Sequence, residues 1–433
     1  MLATRRRRQR LVRMLRGAMA LLPAAPVRYY SRDIEHRYRP ESSFFYLSGF
    51  DEPAAAILLT PRHSQGLFRL LVRPRDPQKE RWEGPRAGIE AAVHQYGADR
   101  SHPIGDLENV LERLLPRYRR IYLLSGIDPA VDRLVSRVIT RLRRVRPRRP
   151  RVKIRELAPI LAEMRLVKDG TEIQRLKRAA RITCRAHRAA LRGVAPGRFE
   201  YEIQAILEHE FRLCGAAGPA YPSIVASGSR ACYLHYTRND ARMRSGELLL
   251  LDAGCENDLY SADVTRTVPV NGRFSTPQRQ LYDLVLAAQT AAIGSIGPGV
   301  AFDRPHKAAV HVLSAGLVAL GLLPGTARQQ MEKGGYRTYF MHRTSHWLGM
   351  DVHDVGEMSP SGRFRRLAAG MVLTVEPGLY IPPTCRDVPA RYRGIGIRIE
   401  DDILVTVAGH ENLTRFVPKD PVRIQKMICA AGR

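Results

Sequence analysis

LLLLDAGCENDLYSADVTRT, residues 248–267, sets two aspartates into sequence that is otherwise apolar and β-branched. Asp252 directly follows a run of leucines, and Asp263 opens the alternating VTRTV. The separation is too long for one strand. It suits two adjacent antiparallel strands joined by the tight turn CENDLYS, with both carboxylates facing the same way. Three later stretches repeat the theme: His346 in MHRTSHWLGMDVHDVG (341–356), Glu376 in GMVLTVEPGLY (370–380) and Glu400 in GIGIRIEDDILV (394–405). Glu376 precedes Pro377 and Gly378, where a strand must stop. Ile397, Ile399, Ile403 and Val405 mark a largely buried strand around Glu400. A lone buried charge costs several kcal/mol. Four carboxylates and one imidazole at strand positions therefore call for compensating positive charge, and a pair of divalent cations supplies it. Oxygen ligands with one nitrogen suit Mn²⁺, Mg²⁺, Co²⁺ or Zn²⁺ rather than a thiolate-selecting metal. Two such ions about 3.5–4 Å apart recur in hydrolysis, sharing a bound hydroxide.

The remaining composition narrows the class. At 433 residues the chain is long enough for two or three domains with cores of their own. Hydrophobic content of 44 % and charged content of 26 % are those of an ordinary globular protein. No apolar run approaches the roughly 18–20 residues of a membrane span, so no membrane partner is expected. Cys184, Cys214, Cys232, Cys255, Cys385 and Cys429 are scattered without paired spacing and read as small buried hydrophobes in a reducing compartment. Net charge is +28, and residues 1–168 carry +19 of it (36 Lys and Arg against 17 Asp and Glu). Much of this is arginine, in RRRRQR at 5–10 and RLRRVRPRRPR at 141–151. No aromatic residues interleave these runs, so bases have no stacking platform there. They are expected to be solvated surface, with no specific nucleic-acid partner. The N-terminal 32 residues contain no acid, as in a transit peptide. QRLVRML nevertheless has amphipathic helical spacing and AMALLPAAPV reads as a first strand ending at Pro26, so both belong to a folded domain and the protein is expected to be cytoplasmic.

From residue 19 to about 157, apolar runs alternate with helical stretches such as GDLENVLERLLPRYR, an α/β pattern. RPRRPR at 146–151 is expected to be an exposed loop. A second domain opens near Leu166. After KDG, Ile173, Leu176, Ala180, Cys184, His187 and Leu191 form one helical stripe, and a second helix runs from about Phe199 to Cys214. Strands through His235, Asp252 and Asp263 follow. Helices at about 276–293 and 304–321 come next, then strands carrying His346, Glu376 and Glu400. Helix-helix-strands thus occurs twice, with the candidate ligands divided between the repeats and the metals at their seam. Arg398 alternates with Glu400 on one strand face and is placed to orient a carboxylate, or to make a plain salt bridge. Asp401 and Asp402 are expected to be solvent-facing or structural.

These strings carry a resemblance. DAGCE, ADVTRT, SHWLG, DVHDVG, LTVEPGLY and RGIGIRIEDD are similar to those of the pita-bread metallopeptidases, and among these to proline-specific aminopeptidase P of the bacterial type. SGSRACYLHYT (227–237), EMRLVKDGTEIQRLKRA (163–179) and RPESSFFYLSGFDEPAAAILL (39–59) extend it over nearly the whole chain. The resemblance implies an N-terminal α/β domain, residues 1–165, and a C-terminal pita-bread domain with an internal pseudo-two-fold repeat, residues 166–433. It implies that Asp252 chelates one ion, that Asp263 and Glu400 bridge two, and that His346 and Glu376 hold the other. The ions are expected to be Mn²⁺, with Co²⁺ or Zn²⁺ as alternatives. Glu376 is also expected to take a proton from the attacking water, His235 and His353 to hydrogen-bond the substrate, and His342 to stabilise the tetrahedral intermediate. The implied substrates are peptides with proline at the second position, and the implied assembly is a homo-oligomer, dimer or tetramer. Trp82 in ERWEGPRAG matches a family tryptophan near the cleft, or is a local packing residue. Prolidase, which cleaves only Xaa-Pro dipeptides, is the nearest competing activity. A non-catalytic pita-bread protein binding RNA or ribosomes is the competing class; such relatives have lost metal ligands that this chain retains.

Overall fold

The structure, a computed structural model, describes residues 2–61, 67–145 and 151–431. The chain divides into two units, Met1–Met164 and Arg165–Arg433. In the first unit six strands form one mixed sheet in the order Arg100–Pro103, Phe68–Val72, Ala56–Leu59, Met19–Pro23, Arg120–Leu123, Lys153–Glu156. The first strand, Met19–Pro23, stops short of the expected Pro26, and every residue in it is buried. Helices Leu107–Leu114 and Pro129–Val145 cover one face, where Leu111, Val135 and Val138 pack with Met19, Leu21, Leu58 and Leu71.

The expected N-terminal helix is Leu2–Leu15, but its arginines are not all solvated. Arg7 and Arg8 are buried, and their Nη1 atoms donate to the carbonyls of Tyr46 (3.2 Å) and Leu47 (2.7 Å). Both carbonyls lie in the last turn of helix Ser42–Ser48, the negative end of its dipole. The two guanidiniums also stack over the Tyr46 and Phe68 rings, at 4.1 and 3.9 Å. The surface reading of RRRRQR is therefore corrected for these two residues, because a helix C-terminus and aromatic faces solvate guanidinium in place of water. Residues 146–150 of the second basic run lie outside the described residues. Trp82, on helix Pro77–Glu83, is 92 % exposed, which rules out the packing alternative.

The second unit repeats one plan. Helices Gly170–Gly193 and Glu200–Leu213 precede an antiparallel sheet of Ile224–Ser227, Leu248–Asp252 and Thr265–Pro269. Helices Thr276–Gly294 and Arg304–Ala319 precede a second sheet of Val372–Val375, Asp401–Thr406 and Gly409–Asn412, with the pair Gly378–Ile381 and Ile395–Arg398 beside it. KDG acts as anticipated: Asp169 accepts from the Thr171 and Glu172 amides while Glu172 accepts from the Asp169 amide. The repeats meet where the Glu400 amide donates to the Thr265 carbonyl (3.1 Å). There the Thr267 hydroxyl donates to the Arg398 carbonyl (3.0 Å) and accepts from the Arg398 amide (3.1 Å).

Several local placements differ from expectation. The segment between the two aspartates is no simple tight turn but a hairpin, Cys255–Asn257 with Tyr260–Ser261, reversing at Asp258 and Leu259 in left-handed conformation. His235 lies in irregular chain after the 3₁₀ turn Gly228–Cys232, not on a strand. His346 is likewise irregular, with only its neighbour Trp347 bridged to Leu373. Glu376 follows Val372–Val375 by one residue, and Glu400 sits in the break between Ile395–Arg398 and Asp401–Thr406. The candidate site side chains therefore gather where strands end, because regular pairing would hold neighbouring side chains in a fixed alternation.

Candidate metal centre and its cavity

Asp252 ends its strand opposite Thr265, and Asp263 precedes Thr265 by two residues, so pleating brings both carboxylates to one side. Between them the backbone closes tightly. A Cβ on Gly254 would meet the Ala262 carbonyl oxygen at 1.7 Å, which makes glycine the only residue that fits. Tyr221, which the sequence reading missed, joins the pair: its hydroxyl lies 2.7 Å from Asp252 Oδ1 and also contacts Asp263 Oδ1.

From the second repeat, His346 Nε2 lies 3.5 Å from Asp263 Oδ2 and 3.7 Å from Glu376 Oε1. Its Nδ1 is 3.0 Å from the Trp347 carbonyl, which places a proton there and turns Nε2 toward the carboxylates. Ligand atoms of Asp263, His346 and Glu400 all lie within 4.8 Å of one another. Glu400 accepts from the Thr265 hydroxyl at 2.6 Å. All five candidate ligands, together with His235, His342, His353 and Arg398, line one cavity of about 480 Å³.

The electrostatics are those of a site short of positive charge. Burial pushes the Glu376 carboxyl up to about 7, although His346 and Arg398 oppose the shift. Burial, reinforced by Asp263 and Glu376, drives Glu400 far above the usual carboxylate range. For His346 burial favours the neutral ring, yet Asp263 and Glu376 prevail and raise it to about 9. Carboxylates forced together out of water seek protons or cations. Hard oxygen donors and one imidazole facing a common space fit a divalent cation.

Arg398 pairs with the carboxylate of Asp252, with Nη2 2.5 Å from Oδ2. Its Nη1 donates to the Tyr380 hydroxyl (2.9 Å) and its Nε to the Thr265 hydroxyl (3.1 Å). Tyr380 in turn lies 2.9 Å from His342 Nε2, while His342 Nδ1 is 2.8 Å from the Arg343 carbonyl. Burial, aided by Arg398, lowers His342 to about 4, so it is neutral at physiological pH. The His353 ring stands edge-on to His346 with centroids 4.4 Å apart. Its loop is held from below. Buried Arg165 reaches Asp351 (2.7 Å) and Asp354 (2.5 Å), and buried Lys168 reaches Asp354 (3.1 Å). Tyr380 and this clamp also escaped the sequence reading, although Tyr380, Arg165, Lys168 and Asp354 all stand inside the strings that carry the resemblance. Asp401 and Asp402 are not solvent-facing: Asp401 is buried against Arg266 and Lys419, and Asp402 accepts the Asp263 amide.

A mixed α/β unit whose paired repeats bring candidate metal-binding side chains into one cavity is the arrangement expected of a metallopeptidase, and the chain belongs to metallopeptidase family M24, whose model matches residues 174–407. The model for the aminopeptidase P N-terminal domain matches residues 4–122. The Xaa-Pro aminopeptidase of Escherichia coli is 43 % identical, covering 99 % of this chain and 98 % of that protein. The solved structure of an aminopeptidase from Pseudomonas aeruginosa aligns with a TM-score of 0.97 at 45 % identity, covering 99 % and 98 % of the two chains. A zinc-substituted aminopeptidase P of Escherichia coli in complex with product aligns with a TM-score of 0.96 at 42 % identity, covering 99 % and 98 %. Within the family this chain is an enzyme of the Xaa-Pro aminopeptidase type.

Proposed function

We propose that the cavity holds two divalent cations, Mn²⁺ before Co²⁺ or Zn²⁺, and hydrolyses the bond between the first residue of a peptide and a proline at the second position. The observation that carries this reading is the convergence of nine anticipated side chains on one cavity. Asp252, Asp263, His346, Glu376 and Glu400 would hold these ions. When bound, such ions would supply Lewis acidity and would make a water acidic enough to act as nucleophile near neutral pH.

The chain's own groups do the rest. Arg398 and Tyr221 fix the two oxygens of Asp252. Glu376 accepts the nucleophile's proton and passes it to the departing proline nitrogen, which carries no hydrogen in the X–Pro amide. His235 and His353 hydrogen-bond the substrate. His342, with both nitrogens already engaged, stabilises the tetrahedral oxygen by exchanging its Arg343 carbonyl for it. The free α-amine sits among the acids of the first repeat, so the enzyme counts from the N-terminus.

Activity on an Xaa-Pro-Xaa peptide should disappear with chelator and return with Mn²⁺ or Co²⁺; full turnover by protein shown metal-free by elemental analysis would sink the reading. Comparing a dipeptide with a longer Xaa-Pro peptide separates aminopeptidase from prolidase. The non-catalytic reading rests on lost ligands, and all five are present and face one cavity.

A further inference from the structure

His342 and His346 have ring nitrogens engaged by the chain, whereas His235 makes no side-chain hydrogen bond among the described residues. It sits in a stretch, residues 228–240, that forms one 3₁₀ turn and no strand. Leu234, His235 and Thr237 of this stretch line the catalytic cavity, while Tyr236 turns away from it. One buried carboxylate holds the stretch at both ends and in the middle. Glu200 opens helix Glu200–Leu213 and is completely buried. Its Oε1 accepts from the Ser227 amide (2.6 Å), the Ser227 hydroxyl (2.8 Å) and Arg230 Nε (3.1 Å). Its Oε2 accepts from the Tyr236 hydroxyl (2.8 Å) and the Ala241 amide (3.0 Å). Ser227 and Ala241 flank the stretch, and Tyr236 directly follows His235. Burial, reinforced by Glu200, raises the Tyr236 hydroxyl to about 12, so it stays a donor, and its ring packs on Ile224, Ala226, Ala231 and Leu250. Buried Asn239, in left-handed conformation, fastens the far end: its Oδ1 accepts from the Val225 amide (2.9 Å) and its Nδ2 donates to the Ser223 carbonyl (2.7 Å). Convergent donors of this kind demand an acceptor-only group, and an amide in place of the Glu200 carboxylate would turn its own hydrogens against them.

We propose that Glu200 is a positioning residue for the reaction: through Tyr236 and the two flanking amides it aims His235 at the substrate. The proposal rests on the reading above, in which His235 hydrogen-bonds the substrate. A buried anion is costly unless it is paired and hydrogen-bonded, and Glu200 commits its acceptor capacity to this one stretch and its flanks. The candidate metal ligands do not share these bonds. Asp252 is fixed by Arg398, by Tyr221 and by the pairing of its own strand with Thr265. Loosening the anchor therefore disturbs His235 and leaves the cation site intact.

A double-mutant cycle on the metal-loaded full chain tests this, with kcat and KM measured on Ala-Pro-Ala and metal content by elemental analysis. Tyr236→Phe removes one donor to Glu200 and keeps the ring; it should lower kcat/KM about tenfold, and Glu200→Gln about 10²-fold, with metal content unchanged in both. In a His235→Ala background each should cost less than about twofold, because no imidazole is left to aim. An anchor that serves the fold alone gives losses that multiply in the double variants instead. Multiplying losses would overturn the proposal, and so would metal lost from Tyr236→Phe or wild-type kcat/KM in that variant. Should Glu200→Gln fail to fold, Tyr236→Phe carries the test by itself, since the half-buried ring stays in place. Undiminished cleavage by His235→Ala, or no cleavage of any Xaa-Pro peptide by wild type, overturns the reading beneath, whereas multiplying losses overturn this proposal alone.

Discussion

Asp263 and Glu400 are the residues proposed to be shared by both ions, one from each side of the repeat seam, so their loss should be the most informative. Asp263→Asn and Glu400→Gln are each expected to lose at least one ion by elemental analysis, and kcat by about 10²–10⁴-fold. His235→Ala and His353→Ala should instead keep both ions while kcat/KM falls by about 10²–10³-fold, the cost of removing a positioned hydrogen-bond partner. A variant of either histidine that purifies one ion short would collapse the distinction between ligand and substrate-binding side chains. The five candidate ligands and Arg398 were legible before the fold was, because charged groups stood out against apolar runs, whereas His235, His342 and His353 were singled out by the resemblance alone. Tyr221 and Tyr380 were not, since a tyrosine in apolar sequence gives no sign of whether its hydroxyl or its ring is the useful part.

Strands and helices were legible through periodicity, and what escaped was how they end. The helix Gly170–Gly193 illustrates both: its buried stripe and capping box were readable, but the partner of His187 was not. His187 is completely buried, its Nε2 2.8 Å from the Ala253 carbonyl beside Asp252, and burial lowers its pKa to about 4. A histidine depressed in the folded state contributes stability above its unfolded pKa, and that contribution is lost as pH falls from about 6.5 toward 4. Wild type should therefore lose on the order of 3 kcal/mol more than His187→Gln between pH 7 and pH 4. Parallel pH–stability curves for the two proteins, measured by denaturant unfolding, would refute this. The loop holding His353 makes a second case. Asp354→Asn weakens the clamp to Arg165 and Lys168, and should lower Tm and cut kcat by about tenfold while metal content stays constant. Loss of metal in that variant would mean the clamp serves His346 and not His353.

Viewed whole, the chain's charge reads differently after folding. Arg7 and Arg8 are committed to a helix end and two rings, so the net +28 overstates what is free to meet a polyanion. The sequence could not reveal this, because capping a distant helix depends on long-range packing. Nucleic-acid binding is expected to be weak and almost wholly salt-sensitive in titrations at low and physiological salt. Replacing Arg148, Arg149 and Arg151 by Ser should leave peptide cleavage unchanged. Tight, sequence-selective binding at physiological salt would restore a second role. The two-unit organisation and the doubled helix-helix-strands plan were readable from pattern, whereas the hairpin between the aspartates was hidden by an apolar context that looks the same for one sheet or two.

The seam at Thr265–Thr267 and Arg398–Glu400 has a mechanical consequence. Candidate ligands from one side of the Ser295–Asp303 connection meet candidate ligands from the other, so a cation held between them would act as a rivet. Its affinity is spent on adhesion of two half-modules as well as on chemistry, in proportion to RT ln(1 + [L]/Kd). Were the chain nicked in that connection, the halves should dissociate on dialysis against chelator and reunite when the ion returns, which turns metal occupancy into a direct gauge of assembly.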